Sequence, residues 1–339
     1  MKTKRERILL RADGSKKIGI GHLVRSLTLA TALKESGREV LVVGRGVRNA
    51  QLLDASFSDL QVVEIIFPNL SAETEFIGSK QPDLVIVDGY EFTADFFSFL
   101  HEQRIPFGVI DDNFETRAEK PLFLLNQNPI ATRDLYPKDW DETTFLLGLE
   151  FALIRQAIIE TSREPRLSQR NDVLVAIGGT DSLGVTPQLA ESLHRSGLSV
   201  AIPENQLTAL AKSVNQPGLG HHLTHVFSPS DYPTYLAAAK FSVLGGGSSV
   251  YEALALDVPT IAVVVADNQI SSAQLLSDRG LLAGLVDMRK NSSRAISEFE
   301  HIVKRLMSED LGKRASGLDL STGKLRAVKE ILGLIPKTR

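Results

Sequence analysis

Short apolar runs alternate with longer amphipathic ones along the whole chain. RILLRA (7–12), EVLVVG (39–44), QVVEIIF (61–67), DLVIVDG (83–89), PFGVID (106–111) and LFLLN (122–126) read as strands. Turn residues bound them, and several are apolar almost throughout, the pattern of strands buried on both faces. Helical stretches lie between. The clearest covers 22–36, where Leu23, Leu27, Ala30 and Leu33 recur at helical spacing before Gly37. Strand–helix alternation of this kind predicts a parallel sheet with right-handed crossovers.

The pattern restarts in the second half. DVLVAIGG (172–179), LSVAIP (198–203), THVF (224–227), FSVLGGG (241–247), TIAVVVA (260–266) and LLAGLV (281–286) read as strands, again with helical segments between most of them. The polar stretch TSREPRLSQRND (161–172) holds Pro165 and three Arg, with Leu167 its only large apolar residue, and reads as a linker. Residues 293–335 are helical by pattern, with Val303, Leu306, Leu311, Leu325, Val328, Ile331 and Leu332 available to pack. The expected architecture is α/β, two Rossmann-like domains facing a cleft. Their bounds are 1–155 and 156–320, followed by a helical tail over 321–339.

Composition narrows the function classes. The chain has 339 residues, 43% hydrophobic and 23% charged, with 25 Gly and 14 Pro. That excludes a disordered chain, a coiled coil and a collagen-like repeat, and the length suits two domains. Lys and Arg number 38 against 41 Asp and Glu, a net charge of −3, so no nucleic-acid partner is expected. With no Cys there is no disulfide, no thiolate metal ligand and no cysteine nucleophile. The segment MKTKRER is basic, but the apolar stretch behind it spans only Ile8–Leu10, so no signal-peptide core is expected. No run approaches the ~18 apolar residues of a spanning helix. A soluble, cytoplasmic protein with no membrane partner is the expectation, and oligomeric state leaves no readable sign.

Ligands of open α/β sheets bind outside the carboxyl ends of the strands, and three segments there carry unusual chemistry. The first is ADGSKKIGIGHLVR (12–25), where Gly14, Gly19 and Gly21 allow close backbone approach to a ligand. His22 falls at the start of the following helix, whose positive dipole end disfavours an imidazolium. A neutral imidazole at the mouth of a cleft is what a general base requires; the alternative is a satisfied surface histidine. The second is LGGGSSVYEALALDVP (244–259). Gly245, Gly246 and Gly247 are expected to leave their backbone N–H groups bare for an anion such as diphosphate. Glu252, one turn further on, is placed to accept from both hydroxyls of a ribose. Ser249 and Glu252 also fit a capping box, S-x-x-E, which would return Glu252 to its own helix end. The third, AIGGTDS (176–182), ends a strand on Gly178 and Gly179.

Other candidates are weaker. His221, His222 and His225 are metal ligands by type, but they lie by a loop with no carboxylate near in sequence except Asp231. Asp111-Asp112-Asn113 ends a strand and reads as a polar turn rather than a cation site. Asp88 and Tyr90 follow another strand end. No G-x-S-x-G elbow and no proper G-x-G-x-x-G fingerprint is present.

Taken together, LRADGSKKIGIGHLVRSLTLATAL, VDGY (87–90), IDDN (110–113), LLNQNP (124–129) and LGLEFALIR (147–155) resemble a known family. So do VAIGGTDS, LGGGSSVYEAL and VVADNQ (264–269). The resemblance is to the UDP-2,4-diacetamido-2,4,6-trideoxy-β-L-altropyranose hydrolases of pseudaminic acid biosynthesis. It implies the two-Rossmann architecture called GT-B and release of free sugar and UDP. It also implies an inverting reaction with no metal and no cofactor. By resemblance, His22 is the catalytic histidine that activates water. Asp13, Gly14, Gly19, Gly21, Arg25, Tyr90, Asn268 and Gln269 face the substrate, and Gly179, Gly246, Gly247, Ser248, Ser249 and Glu252 hold UDP.

Some positions depart from the family pattern. Gly184 stands near where Asn is usual after GGTD, Leu149 and Phe151 replace Pro and Tyr, and Lys240 replaces Asp. None of these is His22 or Glu252, so they bear on the sugar more than on the reaction. Two other classes fit parts of the pattern, a GT-B glycosyltransferase using a related UDP-sugar and a nucleotide-sugar-binding protein without catalysis.

Overall fold

The computed structural model describes residues 5–14, 20–161, 173–179, 181, 183–206, 224–290, 293–308 and 317–336. The chain divides into two compact units, Met1–Ile154 with Leu320–Arg339, and Arg155–Asp319.

Among the described residues of the first unit, seven strands form one sheet: β1 (Arg7–Ala12), β2 (Glu39–Gly44), β3 (Gln61–Glu64), β4 (Leu84–Asp88), β5 (Phe107–Ile110), β6 (Phe123–Asn126) and β7 (Thr144–Leu147). Their order is β3-β2-β1-β4-β5-β6-β7, and every neighbouring pair is parallel. The helices are α1 (Gly21–Glu35), α2 (Val47–Gln51), α3 (Leu70–Lys80) and α4 (Ala94–Glu102). The continuous apolar character of β1 and β4 follows from cover on both faces. Ile8, Leu10, Leu84 and Ile86 point into one core with Leu23, Leu27, Ala30 and Leu33 of α1. Their alternates Leu9, Val85 and Val87 point into a second core with Phe96, Phe97 and Leu100 of α4.

Strand β7 was not among the sequence-read strands. Three of its four residues are only half-buried, so its hydrophobic signal is weak. Strand β3 ends at Glu64, short of the expected 61–67, and Ile66 is exposed beyond it.

The second unit opens on α5 (Gln156–Glu160) and continues through β8 (Val173–Ala176), α6 (Thr186–Arg195), β9 (Val200–Pro203), β10 (Thr224–Phe227) and α7 (Tyr232–Ala238). Then come β11 (Phe241–Gly245), α8 (Ser249–Ala255), β12 (Thr260–Val264), α9 (Ile270–Asp278), β13 (Gly284–Asp287) and α10 (Ser293–Ser308). Among the described residues the sheet order is β10-β9-β8-β11-β12-β13, again parallel throughout. Its core joins Val173, Val175, Val243, Ile261 and Val263 to Leu189 and Leu193 of α6 and to Phe299, Val303 and Leu306 of α10. The linker read over 161–172 lies outside the described residues, apart from Thr161.

After α10 the chain returns to the first unit as α11 (Gly323–Leu334), whose Ala327, Val328 and Ile331 join the core of α1. Gly323 lies against the backbone of Ala152. A Cβ there would lie 2.5 Å from the carbonyl oxygen of Ala152. Leu325 faces away and is exposed, and Leu311 lies outside the described residues. Among the described residues, no helix is long and apolar enough to cross a membrane.

Candidate active site

The strand order of the first unit reverses between β1 and β4, which makes their carboxyl ends the topological switch point of that sheet. His22, the second residue of α1, meets Asp88, the last residue of β4, at this point. Its Nδ1 lies 2.6 Å from Asp88 Oδ1, and the ring is 5% exposed. A surface histidine is thereby ruled out. An ionised carboxylate only accepts, so Nδ1 carries the proton and donates it to Asp88. The Arg25 Nη2, 2.9 Å from the same Nδ1, is a donor as well and is consistent with both groups sharing the carboxylate. If the ring is neutral, its lone pair then lies on Nε2.

Asp88 is the centre of the cluster. Arg25 Nε donates to its Oδ2 at 2.7 Å, Arg25 Nη2 to its Oδ1 at 2.5 Å, and Ser26 Oγ to its Oδ2 at 2.9 Å. Burial alone would raise this carboxyl, but Arg25 and His22 outweigh it and hold it down at about 2. Arg25 also reaches Asp112 Oδ2 at 2.5 Å, and the Tyr90 hydroxyl donates to the other Asp112 oxygen. The Asp112 carboxyl would be raised by burial, and is instead lowered by Arg25 and His22. Tyr90 packs edge-on against His22 with ring centroids 4.7 Å apart. Loss of water, then the Asp112 charge, pushes its phenol up. Tyr90 keeps 42% of its surface exposed, so it is the member of the cluster that solvent reaches most.

The structure therefore brings His22, Arg25 and Tyr90 together and adds Asp88, Asp112 and Ser26. Arg25 is 6% exposed and bonds two carboxylates, those of Asp88 and Asp112. Gly21 opens α1 with nothing near its Cβ position, and Gly19 lies outside the described residues. Asp13 joins a different cluster. Arg11 Nη1 and Nη2 donate to it at 2.7 and 3.0 Å, and the Arg45 N–H adds a third bond at 2.8 Å. Gly14 is buried beside it and donates to the Arg45 carbonyl.

In the second unit the order reverses between β8 and β11, and their following turns meet. A Cβ on Gly245 would stand 3.0 Å from the Gly178 nitrogen, and one on Gly246 would stand 3.3 Å from Gln269 Cβ. Gln269 is anchored by accepting from the Val265 N–H at 2.9 Å, while Asn268 is exposed. Asn205 donates to the Gly179 carbonyl at 2.8 Å and Gln206 to the Gly178 carbonyl at 2.7 Å, fixing that turn from below.

The expectation that the glycine N–H groups stand bare is corrected. Gly246 donates to Val263 at 2.9 Å and Gly247 to Gly245 at 2.7 Å, because the turn must stay registered on the sheet. The N–H groups of Ser248 and Ser249, one step on, have no acceptor among the described residues. They are the donors that an anion would find.

The capping box does not form. Ser248 is the N-cap and makes no side-chain cap bond, while Ser249 Oγ makes only a long 3.4 Å contact to the Gly245 carbonyl. Both Glu252 oxygens go to Arg155, at 2.7 Å from Nε and 2.9 Å from Nη2. Sequence reading did not single out Arg155, because its partner lies 97 positions away.

Asp111 accepts from the Tyr136 hydroxyl at 2.8 Å and from the N–H groups of Asn113 and Phe114, so it serves the polar turn. His225 is half-buried on β10, and His221 and His222 lie outside the described residues. Among the described residues no group of three or more His, Asp or Glu is disposed to hold a metal ion.

Two parallel-sheet Rossmann-like units, each with side chains gathered at its own switch point, make this a protein of the GT-B fold. Solved structures agree. MurG of Acinetobacter baumannii superposes with a TM-score of 0.60 at 13% identity, over 99% of this chain and 100% of that one. A UDP-GlcNAc 2-epimerase of Neisseria meningitidis bound to UDP-GlcNAc gives 0.67 at 13% identity, over 96% and 100%. In sequence, the chain is similar to the UDP-2,4-diacetamido-2,4,6-trideoxy-β-L-altropyranose hydrolase of Campylobacter jejuni, 25% identical over 286 residues. That match covers 81% of this chain and 97% of the relative, and the motifs read above resemble the same family. No family model matches the chain.

Proposed function

We propose that the protein is an enzyme that hydrolyses a UDP-linked 2,4-diacetamido-2,4,6-trideoxy sugar to free sugar and UDP, as a step of nonulosonic (pseudaminic) acid biosynthesis. The observation that carries the reading is the buried 2.6 Å bond from His22 to Asp88. It supports an imidazole whose Nε2 takes a proton from water as the water oxygen bonds to the anomeric carbon. The bond from that carbon to the β-phosphate oxygen breaks, and its electron pair leaves with UDP. Asp88 holds the ring in the required tautomer and stabilises the imidazolium that forms, the part a carboxylate plays beside a catalytic histidine elsewhere. UDP is a good leaving group, so no second carboxylic acid is needed. The reading assigns Tyr90 to the sugar, and the Ser248 and Ser249 N–H groups, with Gly179 and Gln269, to the diphosphate.

Attack by water on the face opposite UDP inverts the anomeric centre, and the reading needs no metal and no cofactor. The test is a panel of UDP-sugars incubated without acceptor and with excess EDTA, followed by proton NMR. The expected result is UDP together with free sugar that first appears as the opposite anomer. UDP release only when an acceptor is added would identify a glycosyltransferase instead. A changed sugar still attached to UDP would identify an epimerase.

A further inference from the structure

Both oxygens of Asp112 are engaged, and the bond to Tyr90 settles which way that hydroxyl works. Oδ2 accepts from Arg25 Nη1 at 2.5 Å, and Oδ1 accepts from the Tyr90 hydroxyl. The main chain is tied as well, since Asn128 Nδ2 donates to the Asp112 carbonyl at 2.8 Å. A tyrosine hydroxyl has one proton. With that proton spent on a carboxylate, the Tyr90 oxygen has only lone pairs left, and it meets any further partner as an acceptor.

The same holds for its neighbour. The rings of Tyr90 and His22 lie edge to face with centroids 4.7 Å apart, and Nδ1 of His22 is bonded to Asp88. In the neutral ring Nε2 is then an acceptor too. Tyr90 is 42% exposed against 5% for His22, so solvent approaches the pair past the tyrosine. A water held by two acceptors must point one hydrogen at each. Its lone pairs are thereby turned away from both, toward the atom to be attacked.

We infer that Asp112 is a positioning residue that makes Tyr90 an obligate acceptor, so that Tyr90 and His22 together orient the attacking water. One hydrogen of the water passes to His22 Nε2. The other is held by the Tyr90 oxygen and stays on the new sugar hydroxyl, while a lone pair of the water oxygen forms the bond to the anomeric carbon. This role rests on the proposed hydrolysis and deepens it by placing the Tyr90 oxygen at the reacting carbon of the sugar.

Asp112→Asn separates this role from a structural one. Arg25 offers only donors, so the new amide must turn its oxygen to Arg25 and its NH2 to Tyr90. Tyr90 then accepts where it had donated, and its own proton turns outward. Shape is kept and polarity is reversed. The measurement is UDP release from UDP-2,4-diacetamido-2,4,6-trideoxy-β-L-altropyranose by the native chain, Asp112→Asn, Tyr90→Phe and the double variant, with the melting temperature of each as the check on folding. Asp112→Asn should lower kcat about 100-fold, the cost of a misplaced reactant. Tyr90→Phe should lower it about threefold to tenfold, the loss of one hydrogen bond. Neither should move KM much. The double variant should match Tyr90→Phe, because without the hydroxyl the amide has nothing to reverse. If Asp112 served only to hold Arg25, its loss would persist in the double variant and multiply that of Tyr90→Phe, which would overturn the proposal. An unchanged kcat in Tyr90→Phe would overturn it as well, whether or not Asp112→Asn folds. If the native chain releases no UDP from this substrate, the hydrolase reading fails too.

Discussion

A histidine works as a base only if one ring nitrogen is held free and the other is fixed, and in the proposed reading Asp88 does the fixing for His22. An amide in its place can turn a donor toward Nδ1 and leave the ring in the wrong tautomer. Asp88→Asn should therefore lower kcat at least about 100-fold, and His22→Ala by about 100- to 10,000-fold, with the Kd for UDP nearly unchanged in both. Unchanged turnover in His22→Ala would remove it as the base. Acid sensitivity gives a second readout. The Asp88 carboxyl lies below its ordinary 3.8, at about 2, so its contribution to stability is complete above pH ~4 and is lost as pH falls toward 2. Urea unfolding between pH 7 and pH 2 should show that the native chain loses stability in this window and that Asp88→Asn lacks that share. Identical acid slopes for the two would show that Asp88 carries no such charge.

At the scale of elements, most of the fold was legible because both sheets are parallel and covered on both faces, so their strands are continuous apolar runs. What stayed hidden has physical reasons. β7 is only partly buried and so is weakly patterned, while Asp88, Asp112 and Arg155 act through partners 63 to 97 positions away. Periodicity cannot report such pairs. His22 was legible because a glycine-rich turn before a helix marks it locally, whereas Asp88 looked like an ordinary strand end. The glycine turn misled for a related reason, since Gly246 and Gly247 spend their N–H groups on Val263 and Gly245, and those of Ser248 and Ser249 have no acceptor among the described residues. The docking of α11 offers a test at this scale. Gly323→Val would drive a side chain into the backbone of Ala152 and should cost about 1–3 kcal/mol, seen as a lower melting temperature. Hydrogen exchange should rise first in α11 and in the facing residues of α1. A variant that melts like the native chain would mean that α11 contributes little to the first unit.

At the scale of the whole molecule, two parallel sheets, of seven and six strands among the described residues, each reverse strand order once, and the candidate site residues gather at those reversals. In the proposed reading the first unit supplies the base and the second the nucleotide contacts. The absence of Cys and the near-balance of charge then suit a small anionic substrate handled by histidine, amides and hydroxyls. The central claim is that water, and no other acceptor, attacks the anomeric carbon with His22 as its base. Turnover of UDP-2,4-diacetamido-2,4,6-trideoxy-β-L-altropyranose in ¹⁸O-labelled water, read by mass spectrometry before label exchanges into the product, tests it directly. The account predicts one ¹⁸O in the free sugar, none in UDP, and no product from His22→Ala on the same timescale. Label in the β-phosphate of UDP, or a native rate in His22→Ala, would contradict it.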